Sequence, residues 1–248
     1  MNPLLQLEGI RSVLIRQEET IIFAFVERAQ FKHNPVIYLP GGISLPGFSG
    51  SFVDYLLRGT ETLHATVRRY TSPDEHPFFS DLPEPILPVL ESDAPIRKTS
   101  ININSRIKTV YETAIIPSMC GNGDDQQYGS SAVCDVACLQ ALSKRIHYGT
   151  FVAEVKFSEH PEDYRALIAR RDRDALLRKI TNAEVEARLL RRVERKATTC
   201  GQEIDDGSGR EAAGTTCKIQ PELVAEIYRR WIIPLTKEVE VDYLLARA

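Results

Sequence analysis

Apolar residues recur along most of this chain at three- and four-residue intervals, the period of helices buried on one face. Ile10, Leu14, Ile21 and Phe25 form one such stripe and predict a first helix over about residues 7–31. A Gly- and Pro-rich loop, LPGGISLPGFSG, interrupts the pattern, and a second helix is expected over about 50–70. Ser72, Pro73 and Glu75 combine a capping residue, a first-turn proline and a capping-box glutamate, so a further helix should start there. The stretch PFFSDLPEPILPVLESDAP carries too many prolines for regular structure and reads as an extended crossing. Another helix is expected over about 104–118, and then a long central helix over about 129–158. Pro161 and Asp172 open two short helices, and Thr181 with Glu184 forms a capping box for a helix to about 198. Pro221 opens the last helix, and Pro234 inside it should kink it. No run of alternating β-branched residues between hairpin turns interrupts this series. The fold class is therefore all-α, and with no convincing linker the chain reads as a single large helical domain.

Within the long helix, Arg145 and Lys156 fall on one face, with Gly149 and Val152 between them. Eleven residues make about three turns, which puts the two cations roughly 16 Å apart along the axis, within convergent reach. Gly149 would leave room above the backbone, and the face looks prepared for an anionic ligand; two solvated cations at a helix edge is the plainer alternative. Asn182 and Glu186 lie one turn apart, and so do Thr236 and Glu240, with Lys237 beside them. Such pairs are common surface decoration. Glu240 is different because in IPLTKEVEVDYLL the charges alternate with apolar residues instead of gathering on one outer face. Arg11 projects from the first helix, where it shares a neighbouring face with Glu18. No Ser or Cys sits with a His in a recognisable arrangement, and neither a phosphate-binding glycine loop nor a metal-ligand cluster is present. A set of cations, amides and carboxylates suits a reaction that needs only shape and electrostatics, such as the unimolecular rearrangement of a dianion.

Composition narrows the alternatives. The chain has 248 residues, 43% hydrophobic and 26% charged, with a formal charge of −3. Nothing in that balance favours nucleic acid or a membrane surface. Nine arginines fall within residues 165–196, but interleaved acids make an ion-paired, solvated surface the better reading. No apolar run approaches the length of a membrane span, and MNPLLQLEGIRS lacks a secretory signal. The five cysteines are Cys120, Cys134, Cys138, Cys200 and Cys217, an odd, widely spaced set that argues against a disulfide framework. Cys200 and Cys217 bracket a polar loop, where a bridge is the alternative if the protein is secreted.

Taken in order, IRSVLIRQEETIIFAFVERAQF, RRYTSPDEHPFF, YGSSAVCDVACLQALSKRIHYGTFVAEVKF, ITNAEVEARLLRRVERKA and IPLTKEVEVDYLLAR span almost the whole chain. Together they resemble the eukaryotic-type chorismate mutases, the all-helical kind of fungi and plants. The resemblance implies conversion of chorismate to prephenate, the step towards phenylalanine and tyrosine, with no cofactor. It implies that Arg11 and Arg145 bind the two substrate carboxylates and that Lys156 donates to the ether oxygen. Glu240 would face that oxygen as a protonated donor, and Glu186 would accept from the ring hydroxyl. Asn182 and Thr236 would orient the substrate, and Lys237 would set the local field. It also implies a homodimer with an effector site for tyrosine and tryptophan between subunits, at Arg68, Arg69, Gly129 and Ser130. Two positions depart from the yeast-like pattern: Val133 and Gln220 each stand where those members have a Thr. A cytoplasmic, regulated enzyme is expected; the alternatives are a secreted, unregulated mutase and a catalytically silent helical interaction protein.

Overall fold

The apolar stripes close on one another as a helical assembly, and among the described residues the only β pairing is an isolated bridge between Leu45 and Phe48. The computed structural model describes residues 7–88, 90, 96–201 and 218–247. Helix α1 spans Leu7–Arg28 and α2 spans Phe52–Thr66. Helices α3 (Asn104–Val110) and α4 (Ile116–Met119) are joined by a π-helical turn, Tyr111–Ile115. Next come α5 (Tyr128–His147), α6 (Gly149–Glu159), α7 (Pro161–Ala169), α8 (Arg173–Ile180) and α9 (Ala183–Gly201). Helix α10 (Pro221–Ile227) runs through a second π turn, Tyr228–Ile232, into α11 (Ile233–Leu245).

Local chemistry explains where these elements start, and where they differ from expectation. Ser51 caps α2 in a complete capping box: its Oγ accepts from the Asp54 amide at 3.0 Å, and the Asp54 carboxylate accepts from the Ser51 amide. Asp172 caps α8 by accepting from the Ala175 amide. The helix expected at Ser72 is not formed. A short 3-10 turn, Arg69–Thr71, is followed by a bend, and the Glu75 carboxylate that should complete the box is held by Arg69 at 3.1 Å and Lys144 at 2.7 Å. At the start of α9 the cap is Asn182, whose Oδ1 accepts from the Val185 amide, while Thr181 turns back to the Leu177 carbonyl. The expected crossing has no regular element between Glu75 and Pro88, and residues 89 and 91–95 of it lie outside the described residues.

The long central helix expected over 129–158 is two helices. The break falls at Tyr148, whose ψ of −10° departs from the helical value, and α6 starts at the next residue. Pro234 does not end the helix: Ile232 and Ile233 keep helical dihedrals, and the irregularity expected there takes the form of a wide π turn just before the proline. Pro117 likewise follows a π turn. A proline lacks the N–H and crowds the carbonyl four residues back, so a one-residue widening on its N-terminal side relieves both problems.

The core has three connected parts. The largest joins α1, α2, α5, α9, α10 and the first half of α11, with Phe25, Leu57, Leu139, Val193, Tyr228 and Val239 fully buried in it. A second lies among α6, α7, α8 and the end of α11, around Tyr164, Leu176, Tyr243 and Leu244. A small third part seats Ile10 of α1 on Tyr148, Phe151 and Val155. Helix α11 is buried on most of its circumference, which explains its alternating charged and apolar residues: Thr236 and Glu240 face inwards with the apolar positions. A fully buried Arg28–Asp135 pair, 2.6 Å apart, ties α1 to α5, and the Asp135 carboxylate also accepts from the hydroxyls of Tyr38 and Tyr111.

Candidate active site

Polar side chains collect where α5 and α6 meet α11, with the α8–α9 junction closing one side. Arg145, near the end of α5, is 4% exposed. Its Nη1 donates to Thr236 Oγ1 at 3.3 Å, and its Nε is buried with no partner. Thr236 Oγ1 in turn donates to the Ile232 carbonyl at 2.7 Å, which fixes its lone pairs towards Arg145. Burial pushes the Arg145 guanidinium below its ordinary pKa, against the attraction of Tyr228, Glu18 and Glu240. An arginine does not give up its proton, so the site holds a desolvated cation. Neither nearby carboxylate touches it. Glu18 is fully buried and taken by Arg192 at 2.9 and 2.6 Å, and Glu240 is taken by Lys156.

Lys156 on α6 donates to Glu240 Oε2 at 2.7 Å and to the Ile180 carbonyl at 2.8 Å. The ammonium is therefore aimed by the last turn of α8 as well as by its ion partner. Glu240 is 4% exposed. Burial raises its carboxyl above the ordinary value near 4.5, and Lys156 first, then Arg145 and Lys237, pull it back. Further out, Lys237 pairs with Glu186 at 3.0 Å and lies 3.5 Å from Thr181 Oγ1. Asn182 stands at the same junction with its Oδ1 used by the α9 cap.

Of the eight expected site residues, the structure joins Arg145 to Thr236, Lys156 to Glu240 and Lys237 to Glu186, with Asn182 at the adjoining helix start. Arg11 stands apart, exposed on α1, and the described contacts do not join it to the others. Its neighbour Ile10 does place this part of α1 against Val155, the residue before Lys156. Gly149 does not leave space for a ligand as its position on the helix suggested; that space is filled by Thr236 and Glu240 of α11. Sequence reasoning did not find Tyr228 or Arg192. Tyr228 is fully buried beside Arg145 with its hydroxyl unpartnered, and Arg192 was hidden among the arginines of its helix. The Ile180 carbonyl carried no side-chain signal at all. Among the described residues, no group of three or more His, Cys, Asp or Glu is placed to hold a metal ion.

The expected effector residues are not gathered within one chain. Arg68 donates to the Pro88 carbonyl, and Arg69 donates to Glu75, His64 and Gln140. Gly129 and Ser130 are exposed in the first turn of α5, ten residues before Gln140 and so about 15 Å away along the helix.

A family model described as chorismate mutase type II matches residues 127–241. The chloroplastic chorismate mutase 1 of Petunia hybrida is 51% identical over 244 residues, covering 97% of this chain and 75% of that protein. The crystal structure of AtCM1 with tyrosine bound in its allosteric site superposes with a TM-score of 0.90 at 49% identity, covering 99% of this chain and 98% of that one. The Aro7p chorismate mutase of Candida albicans, in complex with L-Trp, gives a TM-score of 0.91 at 41% identity, covering 98% of this chain and 92% of that one.

Proposed function

The chain belongs to the chorismate mutase family, isomerases that turn chorismate into prephenate, and we propose that it does so at the cluster between α5–α6 and α11. The observation that carries this placement is the buried Arg145 cation with no carboxylate in contact among the described residues. A lone buried charge is costly, and a substrate carboxylate would offset that cost. Arg145 binds one carboxylate of chorismate, and Arg11 binds the other from α1 on the solvent side. Asn182 and Thr236 orient the ring and the enolpyruvyl arm. Glu186 accepts from the ring hydroxyl, while Lys237 holds Glu186 and contributes positive field.

Holding the flexible arm over the ring removes much of the entropic barrier. As the carbon–oxygen bond breaks, negative charge grows on the ether oxygen. Lys156 donates to that oxygen from one side and protonated Glu240 from the other, so the transition state gains more than the ground state. The dianionic substrate adds to burial in favouring the protonated Glu240. The chain's own residues supply every role, and no cofactor is invoked. The test is loss of chorismate absorbance with the parent and with Arg145→Ala; a folded Arg145→Ala protein with parental turnover would remove this placement.

We further propose control by tyrosine and tryptophan, in a homodimer. One relative's structure holds tyrosine in an allosteric site and another is a complex with L-Trp. Arg68 and Arg69 of one subunit with Gly129 and Ser130 of the other form the effector site. Leu63 on α2, Val67 just after it and Val133 on α5 are 65%, 47% and 61% exposed, apolar surface close in sequence to Arg68, Arg69, Gly129 and Ser130 for a second copy to cover. We read the chain as one domain and assign it to the cytoplasm. Free Cys120, Cys134 and Cys138 suit a reducing compartment. The Cys200–Cys217 bridge of the secreted alternative involves Cys217, outside the described residues, and a mass gain of two hydrogen atoms on reduction would reveal it. No helix among the described residues is long and apolar enough to cross a membrane.

A further inference from the structure

Helix α6, which carries Lys156, and α11, which carries Thr236 and Glu240, approach closely at Gly149. A methyl carbon at Gly149 would lie 2.8 Å from the Thr236 carbonyl oxygen, 3.2 Å from Thr236 Cγ2 and 3.3 Å from Glu240 Cγ. Gly149 follows the Tyr148 break, four residues after Arg145 and seven before Lys156. Its φ is not in the left-handed region, where Gly41, Gly47 and Gly123 lie, so the position demands space and not a glycine backbone. We propose that Gly149 is a positioning residue for the rearrangement: its missing side chain sets the distance at which Arg145 and Lys156 face Thr236 and Glu240. This rests on the active-site placement above.

The obstructing atom makes the case. A carbonyl oxygen inside α11 cannot rotate aside as the end of a long side chain can, so an added carbon must move α11 or α6 bodily. The contacts spanning that gap have little slack. Arg145 reaches Thr236 at 3.3 Å, near the limit of a useful hydrogen bond, and Lys156 meets Glu240 at 2.7 Å. Displacing one helix therefore misplaces donors on both sides of the ether oxygen together.

Gly149→Ala should fold, because the alanine backbone is allowed and its helical preference offsets part of the crowding. Its kcat on chorismate should fall about tenfold to a hundredfold, with KM changing less. The alkaline limb of its pH–rate profile should also move. Glu240 is faced by Lys156 of α6, Arg145 of α5, Lys237 of its own helix and Tyr164 of α7. Separating α6 from α11 weakens Lys156, the largest influence holding the carboxyl ionised, so the proton stays on to higher pH and the limb shifts upwards. A loss of stability alone would not shift it in that direction.

Gly59→Ala on α2 is the control, since nothing lies within 4 Å of its added carbon, and it should match the parent. A folded Gly149→Ala protein with parental kcat overturns the proposal, as does reduced kcat with an unmoved alkaline limb. A chain that fails to fold also overturns it, because the contact would then serve the core. If Gly149→Ala is parental while Arg145→Ala is inactive, only the positioning role fails; if Arg145→Ala is itself active, the site placement fails.

Discussion

Arg145 and Arg11 carry the same charge in opposite surroundings. Removing a charge-assisted hydrogen bond costs about 1.5–3 kcal/mol, or roughly 10- to 150-fold in a rate or binding constant. Arg145 is buried and held by Thr236, so Arg145→Ala should sit at or beyond the upper end of that range in kcat/KM, with parental helicity. Arg11 is exposed and screened by solvent, so Arg11→Ala should sit near the lower end and act mainly on KM. Steady-state kinetics of both variants on chorismate check the order; a greater loss for Arg11→Ala would contradict it. The sequence marked Glu240 because its charge alternates with apolar neighbours in IPLTKEVEVDYLL, and it is buried; Thr236, noted only as its partner one turn away, is buried as well. It misread Gly149, because a missing side chain looks the same whether a ligand or a neighbouring helix fills the space.

Helices were legible wherever the apolar period was long, as in α1, α5 and α9, and their ends were less so. Ends depend on which of several polar neighbours wins. Glu75 was drawn from a capping box by Lys144 and Arg69, and Asn182 displaced Thr181 as a cap. The π turns before Pro117 and Pro234 answer to the prolines themselves, whereas no proline marks the break at Tyr148 in the sequence. Where a cap is complete, its worth follows. Ser51→Ala removes the acceptor for the Asp54 amide and should cost about 1 kcal/mol, with chorismate turnover unchanged. Urea unfolding measures the first and absorbance the second; loss of activity without loss of stability would tie α2 to the site.

At the scale of the molecule, the proposed catalytic cluster and the proposed effector residues are different sets of side chains, so they should respond to mutation separately. Arg68→Ala with Arg69→Ala should leave basal turnover near that of the parent and blunt the response to tyrosine, because coupling then runs between distinct sites. An unaltered tyrosine response would place the effector elsewhere. The whole assembly also depends on buried charge. Asp135→Ala would strand Arg28 in the core and should cost about 3–5 kcal/mol, read as a lowered urea midpoint. In the proposed mechanism, the field that several helices sum at Glu240 sets the pH dependence. Burial and the arriving dianion favour the neutral acid, while Lys156, Arg145 and Lys237 oppose it. The protonated form is the donor, so activity should be full below the Glu240 pKa in the complex and fall as pH rises through it. Glu240→Gln keeps a donor and removes the titration. The pH–rate profile of parent and Glu240→Gln on chorismate therefore tests the site most directly. An active variant that has lost most of the alkaline decline is the predicted result, and an unchanged alkaline limb, or a folded variant inactive at every pH, would contradict it.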